Sequence, residues 1–127
     1  MVEVVRGFVA LPEAAQMLGI SPTTARALTV SSDGAVPRLP VLRVRPTLPR
    51  VGLNTVEEFM NGRPGVAGRL PGGLPEVLSL MDVATVLDVS HDAVRRLVTD
   101  GELDGFRVTR AFRVRRAALQ AWIEGHD

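Results

Sequence analysis

The sequence predicts a mainly α-helical protein with small β-hairpins, built from one short module used twice. Two observations carry this prediction. First, Leu11–Ile20 followed by Ser21–Leu28 has the pattern of Leu80–Val89 followed by Ser90–Leu97, at a constant, ungapped offset of 69 positions. Leu11 matches Leu80, Ala15 matches Ala84, Leu18 matches Leu87, Ser21 matches Ser90, Arg26 matches Arg95 and Leu28 matches Leu97. Second, residues 61–75 hold eight Gly or Pro among fifteen positions. Proline lacks a backbone donor and glycine is entropically costly to order, so no helix or central strand is expected there. A repeat of this kind sets how the rest of the chain is parsed.

The 127 residues accordingly divide into a first module at 1–62, a Gly/Pro-rich linker at 63–75 and a second module at 76–127. A core of about 50 to 60 residues is marginal by itself. A hydrophobic share of 46% nevertheless suffices for folding. No apolar run approaches the ~20 residues that cross a bilayer, and the start lacks a basic stretch followed by an apolar one. A cytoplasmic location is the simplest expectation. Without cysteine there are no disulfides or thiolate metal sites, and His91 and His126 stand too far apart in sequence to suggest a metal site. No cofactor is expected.

The elements follow in order. In the first copy, Leu11–Ile20 forms a short helix, and Ser21 caps the next one with Pro22 at its first position, where the missing N–H costs nothing. Leu39 and Leu42-Arg43-Val44 match Leu103 and Phe106-Arg107-Val108 at an offset of 64. Arg50-Val51 and Phe59–Gly62 match Arg113-Val114 and Trp122–Gly125 at 63. The changing offset places an insertion around residues 31–38 and one extra residue in the hairpin tip, Pro46–Pro49. Asn54 and Glu57 are expected to cap the last helix of this copy.

In the second copy, Ser79 and Asp82 have the spacing of a capping box, and Leu80, Val83, Ala84, Val86 and Leu87 supply an apolar stripe. Ser90 caps a second helix whose Val94, Leu97 and Val98 face inward, and Gly101 suits a left-handed stop. Asp88-Val89 leaves room only for a tight turn, which is the helix-turn-helix arrangement. Alternation of Phe106, Val108, Phe112 and Val114 with Arg107 and Arg113 predicts a hairpin, or wing, turning at Thr109–Ala111, with one apolar and one basic face. A last helix runs from Arg116 to Glu124, with Phe112 and Trp122 read as core. The fold class is mainly α with small β-hairpin wings: two tandem winged helix-turn-helix domains.

The net charge is only +1, yet its distribution is uneven. Every basic residue is arginine, and Arg107, Arg110, Arg113, Arg115 and Arg116 fall within ten positions that contain no acid. A locally basic surface on a nearly neutral protein suits phosphates. A helix fits the major groove and reaches base edges from its first turns. The outward positions of the second helix are His91, Asp92, Arg95, Arg96 and Thr99. Arg95 or Arg96 can hold a guanine through O6 and N7, and Asp92 can orient an arginine, accept from cytosine or simply support Arg96 at i,i+4. Arg107, Arg110 and Arg113 are expected at phosphates or a minor groove. In the first copy the matching set is Thr23 and Arg26 with Arg43, Arg45 and Arg50, a thinner surface for DNA or for protein. No glycine-rich phosphate loop, metal set or nucleophile elbow points to catalysis, so no enzymatic activity is expected.

Residues Leu78–Gly125 resemble the excisionase-like, MerR-type winged helix-turn-helix family. The resemblance lies in Leu80–Ser90, in Val94-Arg-Arg-Leu-Val-Thr-Asp-Gly-Glu-Leu103, in Phe106–Val114 and in Leu119-Gln-Ala-Trp-Ile123. Leu11–Gly62 is a more divergent copy, with prolines in its wing. The resemblance implies sequence-specific double-stranded DNA binding in a phage or mobile element. The leading role is a recombination directionality factor that binds repeated sites, bends the DNA and works with an integrase or recombinase, with self-association along DNA. A transcriptional regulator, a packaging subunit and a protein-binding adaptor remain the alternatives. An extended linker at 63–75 is long enough to span a helical turn of DNA between two reading helices.

Overall fold

A computed structural model describes residues 4–31 and 34–125. Ser32 and Asp33, within the expected insertion, and His126 lie outside the described residues. Among the described residues, six helices and two three-stranded antiparallel sheets follow one another in a repeated order. The first unit is β1 (Phe8–Ala10), α1 (Leu11–Leu18), α2 (Pro22–Leu28), β2 (Leu42–Arg45), β3 (Leu48–Gly52) and α3 (Leu53–Met60). The second is β4 (Val77–Ser79), α4 (Leu80–Leu87), α5 (His91–Thr99), β5 (Phe106–Val108), β6 (Ala111–Arg115) and α6 (Arg116–Gly125). Both sheets place the last strand in the centre, as β1-β3-β2 and β4-β6-β5. Matching backbone bonds recur at matching positions. Leu53 N–H donates to Gly7 as Arg116 N–H does to Glu76, and Leu39 N–H donates to Leu28 as Leu103 N–H does to Leu97.

The helix ends follow from local chemistry. Ser79 Oγ accepts from Asp82 N–H and Asp82 Oδ2 accepts from Ser79 N–H, both at 3.0 Å, a complete capping box. Ser90 and Ser21 accept from Ala93 and Thr24 N–H at 3.1 Å. Between the paired helices the chain reverses through one left-handed residue, Gly19 (φ 70°) in the first unit and Asp88 (φ 56°) in the second. Glycine adopts this without cost, and aspartate is among the few other residues that tolerate it. Replacing Ser79 by alanine leaves the Asp82 N–H without its side-chain acceptor. We expect a loss of about 1 kcal/mol, read as a fall of roughly 3–5 °C in thermal midpoint.

Three expectations need correction. The Asn54–Glu57 cap does not form: Gly52 stands at the N-cap of α3 with no side-chain cap bond. Asn54 instead donates to the Ala67 carbonyl at 2.9 Å and accepts from Arg69 N–H at 3.1 Å, because the Gly/Pro segment passes within its reach. That segment has no helix or strand, but it is no free tether. Leu74 is buried, and its carbonyl accepts from Arg116 at 2.6 Å. Gly65 N–H donates to Arg38 O at 2.8 Å, and Arg63 pairs with Glu58, whose carboxyl this bond holds below its ordinary pKa. A Cβ on Gly68 would meet the Phe8 ring at 2.5 Å, so the chain packs there only as glycine.

The second wing turns through two residues, Thr109 and Arg110, not three, since Val108 pairs with Ala111. One residue of slip exchanges faces. Phe112 therefore shares a face with Arg107 and with the buried Val114, while Phe106 and Val108 lie opposite, beside Arg113. Phe106 and Val108 are exposed, and the expected all-apolar and all-basic faces do not exist.

The two units dock closely. Val9 and Val51 point into the first unit's own core with Leu11, Ala14, Ala15, Ala25, Leu39 and Val56. From the other face of the same sheet, Phe8, Leu42 and Val44 enter the cluster formed by Leu78, Val83, Val86, Leu87, Leu97 and Trp122 of the second unit, with Leu48 alongside. Gly7 N–H donates to Val86 O at 2.9 Å, and Arg50 Nε to Asp88 O at 2.8 Å. Arg6 pairs with Glu13 and lies 3.8 Å from Asp88. A sheet covered on both faces is apolar on both, which explains adjacent hydrophobes such as Phe8-Val9.

Candidate nucleic-acid interface

The second unit presents α5 beside its own wing. Ser90 fixes the start of α5, and Val94 and Leu97 anchor it in the core, which leaves His91, Asp92, Arg95, Arg96 and Thr99 exposed. Between α5, the start of α4 and the β5–β6 hairpin lies an open groove of about 320 Å³. His91, Arg95, Arg107, Arg110 and Arg113 line it, with Met81 and Phe112 on its apolar side. No carboxylate lines this groove. Among the described residues, no ion pair engages Arg95, Arg107, Arg110 or Arg113. Four arginines that line one groove without a carboxylate make a locally positive surface, which suits an anion.

Two of the four are held in place. The Arg107 guanidinium sits 5.0 Å from the Phe112 ring centroid, a cation–π contact that the shared face of these residues makes possible. Arg113 donates to the Phe112 carbonyl at 2.9 Å. Arg110 occupies the two-residue turn next to Thr109, whose φ of 53° bends the tip sharply. It is exposed, as a group that meets a phosphate backbone must be.

The other flank of α5 is different. Asp92 and Arg96 line a second groove with Arg45, Pro46, Thr47 and Leu48, the wing tip of the first unit. Asp92 and Arg96 form the expected i,i+4 pair at 3.5 Å, both well exposed, so the pair adds little to stability. Thr99 donates to Arg96 O at 3.2 Å and ends the helix, about 12 Å along its axis from His91. It lines neither groove.

The first unit does not gather its expected set. Thr23 and Arg26 are exposed one turn apart on α2. Arg43 lines an apolar groove with Val36, Pro37, Pro40 and Val41, beside Thr29 at the end of α2. Arg45 is drawn to Asp100 (3.2 Å) and Glu102 (3.5 Å) of the second unit, and Arg50 to Pro49 and Asp88 carbonyls. These two arginines hold the units together, because docking brings acids and helix-end carbonyls within their reach. Sequence reasoning missed Met81, Ser79 and Ala111 in the groove, and Pro46-Thr47 beside α5. No signal short of the docking geometry marks the last two.

Among the described residues no group of three or more His, Asp or Glu is placed to hold a metal ion, and no helix is long and apolar enough to cross a membrane. Residues 77–127 match the family model of a helix-turn-helix domain, and this domain supports sequence-specific DNA binding. Neither the curated proteins nor the solved structures gave a match.

Proposed function

We propose that the chain is a sequence-specific double-stranded DNA-binding protein of two tandem winged helix-turn-helix domains, acting without catalysis. In this reading α5 enters the major groove, Arg95 reads a base edge from its exposed face, and Arg107 and Arg110 clamp phosphates from the wing. The observation that carries the reading is the arginine-lined groove free of carboxylates between α5 and β5–β6. Its chemistry fits a polyanion, and its position beside an exposed helix fits a duplex.

The finer role we propose is that of a recombination directionality factor, an excisionase that binds repeated sites, bends the DNA and works with an integrase. Docking supports bending. The exposed Thr23 and Arg26 on α2 are held at a fixed place relative to α5, so a duplex that engages both must conform to the protein. A protein-binding role for the first unit is the second reading, favoured by the apolar groove that Arg43 lines with Val36, Pro37, Pro40 and Val41 and by the engagement of Arg45 and Arg50 in docking.

The test separates base from phosphate contacts. Arg95→Ala is expected to lose about 1–3 kcal/mol of discrimination between the best site and mismatched sites. Arg110→Ala is expected to weaken binding about equally on all sequences. Competition binding against selected and random duplexes reads both. Equal loss of preference in the two variants contradicts the assigned roles.

A further inference from the structure

The sheet face that docks the first unit onto the second is repeated, uncovered, on the second unit. Leu42 pairs with Arg50 in the first sheet, and Phe106 pairs with Arg113 in the second. By the same correspondence, Phe8, Leu42, Val44 and Leu48 match Val77, Phe106, Val108 and Ala111. The first three of the former group are buried, and they join the second unit's core. Val77, Phe106 and Val108 are 45%, 39% and 48% exposed. A cluster of large apolar side chains on one sheet face marks an interaction surface.

The receiving surface is repeated as well. Inside the chain, the docking face meets the end of α4, where Val86 is fully buried and its carbonyl accepts from Gly7 N–H. The matching residue at the end of α1 is Met17, which is 44% exposed. One chain thus carries a counterpart of each half of its own internal interface, at opposite ends of the repeat, with Arg115 on the sheet face where the first sheet has Gly52. We infer that the Val77–Phe106–Val108 face of one chain docks onto the Met17 end of α1 in a second copy, continuing the internal arrangement head to tail. Across that junction Glu76 N–H takes the place of Gly7 and the Met17 carbonyl that of Val86.

Such a contact is heterologous, with different patches on the two partners, so it extends to further copies instead of closing as a symmetric dimer. It is also weaker than the internal docking. Ser31 stands where Asp100 anchors Arg45, and Ala111 is smaller than Leu48. A contact weaker than the internal docking leaves association dependent on concentration. The inference rests on the repeated sheet and not on DNA binding.

Sedimentation without DNA tests it. The wild-type average mass is expected to rise with concentration past that of a dimer. Phe106→Glu blocks the docking face and Met17→Glu blocks the receiving end, so each variant alone is expected to stay monomeric. Mixed in equal amounts, they retain one good face and one good end between them, and a dimer that grows no further is expected. Both positions are exposed, so the fold tolerates the change; Val108→Glu replaces Phe106→Glu if the thermal midpoint of the latter collapses. A wild type that stays monomeric at every concentration, a mixture that stays monomeric, or a single variant that still associates overturns the inference.

Discussion

Replacing Phe8 by alanine is expected to destabilise the protein by about 3–5 kcal/mol and to lower the unfolding of both units together. Phe8 belongs by backbone to the first unit, where β1 pairs with β3. Its ring, fully buried, lies in the cluster that contains Leu78, Val86, Leu97 and Trp122 of the second unit. Truncation opens a cavity between the units that neither can fill by itself, because Gly68 and the sheet close the near side. A loss of this size is a large part of the total stability of a small protein, about 5–15 kcal/mol. Trp122 is the only tryptophan and sits in the second unit, so its fluorescence reports whether a first-unit mutation is felt there. One cooperative transition, shifted equally by fluorescence and by helical circular dichroism, is the expected result. A Trp122 transition at the wild-type midpoint contradicts a shared core.

The helices, their caps and their turns are legible in the sequence because they depend on neighbours. Ser79 with Asp82, Ser90, Ser21 before Pro22, and Gly101 at φ 79° act through bonds or angles within a few residues. The three-residue strands β1 and β4 are not legible, since Phe8–Ala10 and Val77–Ser79 are too short to show alternation and exist only by pairing with β3 and β6. The wing was readable as a hairpin but not in register. A turn of two residues and a turn of three differ by one position in Thr109–Ala111, and that position decides whether Val108 or Arg107 stands opposite Phe112.

Among the site residues, His91, Arg95, Arg107, Arg110 and Arg113 converge because α5 and the wing are local parts of one unit. Arg45 and Arg50 stand apart from that set for the opposite reason. Their partners, Asp100, Glu102 and the Asp88 carbonyl, are distant in sequence and come near only through docking. Nothing in the composition distinguishes an arginine that meets a phosphate from one that ties two units together.

The docking changes what the Gly/Pro segment does. Tied down at Asn54, Arg38 and Arg116, it fixes the units against one another instead of letting them range along a duplex. The placement of the two units is then set by the protein interior, through residues such as Phe8 and Arg50, and not by the length of the Gly/Pro segment.

The central claim is that the α5–wing groove is a seat for duplex DNA. Titration of the intact protein against a labelled duplex at increasing salt tests it most directly. If Arg95, Arg107, Arg110 and Arg113 together neutralise about four phosphates, the logarithmic salt slope is about −3.6, and affinity falls roughly 150-fold between 50 and 200 mM salt. Arg110→Ala is expected to reduce that slope by about one. No detectable binding to genomic or random duplex at low salt, or a slope that Arg110→Ala leaves unchanged, contradicts the account.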